Sequence, residues 1–236
     1  MNGGLKGISS MATRRVLAEL AADWQARGGE LVAIESVGGV DAARRVQAGG
    51  EGFDVVFLAS GAVDALEAAG SVAAGSRVDL MLSGTAVAVP AGSARPAIDS
   101  EDAVRAAVLA APAVGFSTGP SGVAMQTLFE RWGVAGEMKS RLVQARPGVS
   151  VGMLVASGEV ALGFQQLSEL IHVEGIDIVG PLPPAIAIDT VFSAAVVAGS
   201  PRAATVRQLL AFMASPQAAG AKRRQGMRPL PCKETP

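Results

Sequence analysis

Ala113-Val-Gly-Phe-Ser-Thr-Gly-Pro-Ser-Gly-Val-Ala-Met125 reads as a strand, a turn and the start of a helix. The apolar run breaks at Gly115, passes through Ser117, Thr118 and Gly119, and restarts as a helix led by Pro120, Ser121 and Gly122. Proline suits a first helical turn, and the small residues beside it let a ligand approach the backbone closely. First-turn N–H groups have no intrahelical acceptor and lie at the positive end of the helix dipole, so a small anion fits there. The hydroxyls of Ser117, Thr118 and Ser121 add donors without adding charge. The same residue types also build plain turns. What gives the passage weight is that similar ones recur along the chain.

Working outward, the first eighty residues alternate strand and helix. Leu5–Ile8 reads as a strand, after which Ser9 and Ser10 cap a helix through Arg14, Leu17, Leu20 and Trp24. Leu31–Ile34 is a second strand, and Glu35-Ser-Val-Gly-Gly39 turns it into a helix from Asp41 to Gln47, closed by Gly49 and Gly50. Phe53–Leu58 is a third, and Ala59-Ser60-Gly61 leads into a helix from Val63 to Ala69. Such alternation makes βαβ units on a parallel sheet, and open α/β sheets bind ligands at the carboxyl ends of their strands. Ser9, Ser10, the Ser36–Gly39 turn and Ser60 are therefore expected along one edge.

Beyond these units, long extended segments near 80–89 and 176–188 bracket a central block. That block holds helices at 101–111 and 120–132, strands at Leu142–Ala145 and Val160–Phe164, and a helix opened by Arg146-Pro-Gly-Val-Ser150. After the second long segment come a strand at Phe192–Val197 and helices begun by Ser200 and by Ser215-Pro216. The expected architecture is α/β with two lobes, each a mostly parallel sheet flanked by helices. Residues 1–82 with 188–236 form one lobe and 83–187 the other, joined by hinge crossings in the two long segments. Lobes hinged in this way close on a ligand in the cleft between them.

Composition narrows the chemistry. The 236 residues are 50% hydrophobic, enough for one or two large cores, and the formal charge is −1 with no basic stripe, which argues against nucleic acid as a partner. Aromatic residues are 4% with no Tyr, so stacking on bases or sugars is disfavoured. One cysteine, Cys232, and one histidine, His172, exclude an intrachain disulfide and a Cys/His zinc site. His172 reads as a surface or edge residue, and Cys232 as an exposed thiol in a Pro-rich tail. No stretch has the length of a transmembrane helix without charges, so no membrane insertion is expected. Met1-Asn-Gly-Gly-Leu-Lys-Gly7 lacks the apolar core of a secretory signal. The chain as written is expected in the cytoplasm, or in the periplasm if it is a trimmed mature form.

Four passages carry a family resemblance: Ala43-Arg-Arg-Val-Gln-Ala-Gly49 before a Phe-Asp-Val-Val strand, Pro120-Ser-Gly122, Leu154-Val-Ala-Ser-Gly-Glu-Val-Ala-Leu-Gly163, and Leu210-Ala-Phe-Met-Ala-Ser-Pro-Gln-Ala-Ala219. Over nearly its whole length the chain resembles the periplasmic molybdate-binding proteins of ABC transporters, within the type II solute-binding fold. The resemblance implies that Ser10, the turn at Gly38–Gly39, and backbone near Pro120–Gly122 and Val149 contact the ligand. It also implies an ABC permease as partner if the chain is exported. Two departures stand out. Molybdate binders carry a hydroxyl-rich Ser turn after the second strand, where this chain has Val37-Gly38-Gly39, and a Tyr after the Leu-Gly strand, where it has Gln166. The implied site is roomier and lined by backbone N–H groups and amides. A larger carboxylate suits it better than molybdate, with Arg146 as a clamp.

The chain also resembles aconitate isomerases, which look like molybdate-binding proteins. Their reaction removes a proton next to a carboxylate while preorganised donors hold the charge. It needs an anion cradle and one acid–base residue, with no metal and no cofactor. Glu35, at the end of a strand beside the Ser-Val-Gly-Gly turn, is the acid best placed for that role, ahead of Glu169 and Asp41. Gln165 and Gln166 leave an apolar strand together, so one points to each side of the sheet and at least one faces the cleft. The expected function is binding of a small anion, a polycarboxylate or oxyanion, in the cleft, with isomerisation of an unsaturated tricarboxylate such as aconitate as the alternative.

Overall fold

The computed structural model describes residues 3–146 and 148–230. In chain order its elements are β1 (Leu5–Ser10), α1 (Arg14–Ala26), β2 (Val32–Val37), α2 (Gly39–Ala48), β3 (Val55–Ala59), α3 (Ser60–Ala68), β4 (Val78–Pro90), α4 (Glu101–Ala110) and β5 (Val114–Phe116). They continue with α5 (Pro120–Arg131), β6 (Leu142–Gln144), α6 (Val151–Ala156), β7 (Leu162–Gln166), α7 (Leu167–Leu170), β8 (Ile176–Pro181) and β9 (Asp189–Val196). The last three are α8 (Ala203–Ala214), α9 (Ala219–Arg224) and β10 (Arg228–Pro229). The chain divides into two compact units. One takes the residues up to Leu82 with those from Val191 onward, and the other is Ser83–Thr190. Pro147 and Cys232 lie outside the described residues, and among those described no helix is long and apolar enough to cross a membrane.

In the first unit β1 pairs in parallel with β2 and β3, while β3 pairs antiparallel with β9 and β10 pairs antiparallel with β4. A parallel strand covered on both faces must be apolar on both, and β3 shows why the pattern there is continuous. Val55 and Phe57 pack with Leu5, Val16, Leu17 and Leu20 in one layer, and Val56 and Leu58 pack with Ile8, Val46 and Val63 in the other. Each such side chain contributes about 1.5–3 kcal/mol when fully buried. β1 extends through Ser10, and the chain makes a 3-10 turn at Met11–Thr13 before α1. The expected caps at Ser9 and Ser10 are therefore strand residues, paired with Ser36 and Val37. Ladder pairing outcompetes capping there, and it extends β2 through Glu35 and Ser36 to Val37 as well.

In the second unit β5 pairs in parallel with β6 and β7, and β4 runs antiparallel to β7 and β8. Phe129 of α5 sits against Phe116, Phe164 and Trp132, with the two strand phenylalanines edge-on. On the other face Val151, Leu154 and Val155 of α6 pack with Val160. Strand β7 runs two residues later than its apolar pattern predicts, because Gln165 and Gln166 pair with Ala86 and Thr85 of β4.

Candidate functional site

In the first unit, three parallel strands end side by side at Ser10, Val37 and Ala59. Ser9 is fully buried and shares a hydrogen bond with Ser36 at 2.8 Å between hydroxyl oxygens. Ser10 is only 8% exposed, and its Oγ has no hydrogen-bond partner among the described residues. Gly38 precedes α2 and Gly39 opens it; a Cβ on Gly39 would lie 3.7 Å from that of Ser10, while one on Gly38 would meet nothing within 4 Å. The orphan hydroxyl thus lies beside a helix N-terminus whose backbone is open to close approach. Ser60, the first residue of α3, is half-buried at the end of the third strand.

In the second unit, β5, β6 and β7 end at Phe116, Gln144 and Gln166. Ser117 and Ser121 are joined across the start of α5 at 3.1 Å, with Ser121 1% exposed and Thr118 and Pro120 exposed. The N–H groups of Gly122 and Val123 both donate to the Gly119 carbonyl. Gly122 is required by space: a Cβ there would come 1.7 Å from the Ser117 carbonyl oxygen. Arg146 is exposed, and its carbonyl accepts from the N–H of Val149, itself 41% exposed.

Gln165 and Gln166 point to different partners, as strand alternation requires. Gln166 Nε2 donates to Thr190 Oγ1 at 3.1 Å. Gln165 is held at both ends. Its Oε1 accepts from Ser150 Oγ at 3.0 Å and from the Gly152 N–H at 3.2 Å, and its Nε2 donates to Glu169 at 2.7 Å. It therefore supports the turn before α6, a role not read from the sequence. Ser150, the N-cap of α6, was also missed as part of this edge, although a serine directly before an apolar helical run is a readable cap signal.

The acids fall differently from expectation. Glu35 receives both terminal nitrogens of Arg45, at 2.7 and 2.9 Å, and Arg45 also pairs with Glu51. The Arg45 hydrogen bonds hold the Glu35 carboxyl below the usual range, so it is a weaker base than a free glutamate. Glu169 moves the other way: burial raises its pKa to about 7, against the pull of Gln165. Asp41 forms an ion pair with Arg44 on exposed helix surface. No cluster of metal-ligating side chains occurs among the described residues.

Comparison with known proteins bears on the family and the fold. A family model described as bacterial extracellular solute-binding protein matches residues 5–228. An aconitate isomerase from Pseudomonas sp is 38% identical over 181 residues, covering 75% of this chain and 68% of that protein. The Azotobacter vinelandii periplasmic molybdate-binding protein superposes with a TM-score of 0.77 at 24% identity, covering 96% of this chain and 99% of the other. A tungstate-binding protein from Desulfovibrio alaskensis G20 superposes with a TM-score of 0.71 at 18% identity, covering 96% and 98%. These structural likenesses show the fold, that of the two-lobed solute-binding proteins.

Proposed function

We propose a function from one premise: the chain belongs to the bacterial extracellular solute-binding protein family. On that premise it captures a small polycarboxylate or related oxyanion, using neutral donors at Ser10, Gly38–Gly39, Ser117–Gly122 and Val149. The observation that carries this reading is the Ser10 hydroxyl, buried and without a partner among the described residues beside the start of α2. Leaving such a group unsatisfied costs about 1–3 kcal/mol, a cost that a bound oxyanion removes. Carboxylates are favoured over molybdate because the turn before α2 offers glycine backbone where a hydroxyl would serve a tetrahedral ion. Gln166 is likewise committed to Thr190. If the chain is exported, an ABC permease is the expected macromolecular partner.

The test is a thermal-shift panel of cis-aconitate, trans-aconitate, citrate, molybdate and tungstate on wild type and Ser10→Ala. A tricarboxylate is expected to stabilise the wild type most, with the shift reduced in Ser10→Ala. A larger shift from molybdate than from any carboxylate overturns the carboxylate reading.

A second reading, isomerisation of an unsaturated tricarboxylate, is favoured by one observation, the 38% identity to an aconitate isomerase. No metal or cofactor enters it, since proton transfer next to a carboxylate needs an anion cradle and an acid–base group. Incubation with cis-aconitate in D2O, followed by proton NMR, tests it. New trans-aconitate signals or deuterium in the ligand support an enzyme, and an unchanged spectrum beside a clear binding shift leaves a receptor.

A further inference from the structure

Glu169 lies in α7, and its carboxylate accepts a hydrogen bond from the Gln165 amide. That amide has two chemically different ends. The Ser150 hydroxyl and the Gly152 N–H need an oxygen, while a carboxylate needs the NH2 group. The carboxyl at one end therefore decides which way the amide faces, and with it how the turn before α6 is held. Gln165 is 2% exposed, so an inverted amide would set its NH2 against the Gly152 N–H with little water to relieve the clash. Ser150 follows Val149 directly, one of the residues assigned to the ligand above.

Electrostatically, Glu169 has little compensation. Neither α6 nor β7 contains an Asp, Glu, Lys, Arg or His, and neither does β4 from Ser83 onward. On β8, Asp177 is taken up by Arg95 and the Gly92 N–H. The remaining titratable groups of the adjoining segments are Arg146, exposed on the turn before α6, Glu159 after α6, and His172 and Glu174 after α7. Neither α6 nor β7 therefore supplies a cation to offset an ionised Glu169 carboxylate behind the turn.

We propose that Glu169 is a positioning residue that couples a proton to anion capture. Its carboxyl orients Gln165 beneath the Val149–Gly152 turn, and its ionised form places a negative charge behind that turn and weakens the hold on an anion. Burial, which raises its pKa to about 7, brings this change within the neutral range. The inference rests on the reading that the turn contacts an anionic ligand.

Calorimetric titration of the full chain with cis-aconitate tests it, at about pH 6 and about pH 8.5 and in two buffers of different ionisation enthalpy. Wild type, Glu169→Gln and Glu169→Ala are compared after their folding is checked by circular dichroism. The ligand's own titration is common to all three. Between the two pH values the wild type should lose about three- to tenfold more affinity than Glu169→Gln, and should take up additional protons on binding. Glu169→Gln, whose amide oxygen still accepts from Gln165, should keep the wild-type affinity of low pH. Glu169→Ala should bind more weakly at both. Parallel pH curves for wild type and Glu169→Gln overturn the proton coupling, and equal affinities for Glu169→Ala and Glu169→Gln overturn the positioning role. A wild type that binds neither cis-aconitate, citrate nor molybdate at either pH overturns the ligand reading, and the inference with it.

Discussion

Two glutamates, Glu35 and Glu169, stand near strand ends, and their surroundings drive them in opposite directions. Glu35 accepts a two-pronged guanidinium and stays ionised, whereas Glu169 is partly buried beside a neutral amide. Glu35→Gln should leave cis-aconitate affinity at the wild-type value and shift Tm by about a degree or less, since exposed ion pairs contribute little. A marked loss of affinity would put Glu35 back at the site. For Glu169 the folded pKa of about 7 exceeds the ordinary glutamate value of 4.5, so between these values the folded state holds a proton that the unfolded chain releases. Stability from this group is complete below the lower value, falls as pH rises to the upper one, and is constant above it. Glu169→Gln should therefore melt roughly 2–5 °C above wild type near pH 8 and coincide with it near pH 5, as read by thermal denaturation.

Two helix starts make opposite demands on their glycines. In α5, a methyl group on Gly122 would overlap the Ser117 carbonyl, so Gly122→Ala must displace the turn that holds Ser117 and Ser121. The expected cost is about 2–3 kcal/mol of stability together with loss of ligand binding, measured by denaturant unfolding and calorimetry. In α2, a Cβ on Gly39 meets Ser10 only at ordinary contact distance, and alanine favours helix. Gly39→Ala should thus keep wild-type stability while weakening cis-aconitate binding, because it thickens the backbone beside the Ser10 hydroxyl. Equal affinity for Gly39→Ala and wild type would remove Gly39 from the proposed site. The elements themselves were largely legible, because β3 and α2 write their buried faces into local periodicity. Their ends were less so: Ser9, Ser10 and Glu35–Val37 look like caps and turn by composition, yet neighbouring strands recruit them into the ladder.

For the molecule as a whole, the proposed contacts are neutral donors, which has a measurable consequence. A ligand that binds only the folded state stabilises by about 2.7 kcal/mol at a hundred times its Kd, so Tm should climb steadily with cis-aconitate concentration. Fixed backbone dipoles and hydroxyls are screened less than an exposed arginine clamp. Raising salt from roughly 0.05 to 0.5 M should therefore change the affinity less than about threefold. A steep salt dependence, reduced in Arg146→Gln, would restore the exposed arginine as the principal contact.

By itself the sequence determined the α/β class, the parallel pairing implied by alternating strands and helices, and the presence of a helix start at Pro120–Gly122. Each of these is local: it depends on periodicity, or on residue types within one turn. It also excluded Cys/His zinc chemistry, because a single histidine and a single cysteine cannot supply the ligands. Tertiary structure alone decided the antiparallel insertion of β9 beside β3, the short strand β10 on β4, and the fates of the site acids. Whether a glutamate is a base, an ion-pair partner or a proton reservoir depends on what lies across from it. Arg45 reaches Glu35 from ten residues away, and the Gln165 amide joins Glu169 to a turn fifteen residues upstream of Gln165. Those distances are closed by helix packing on the sheet, which no local pattern records.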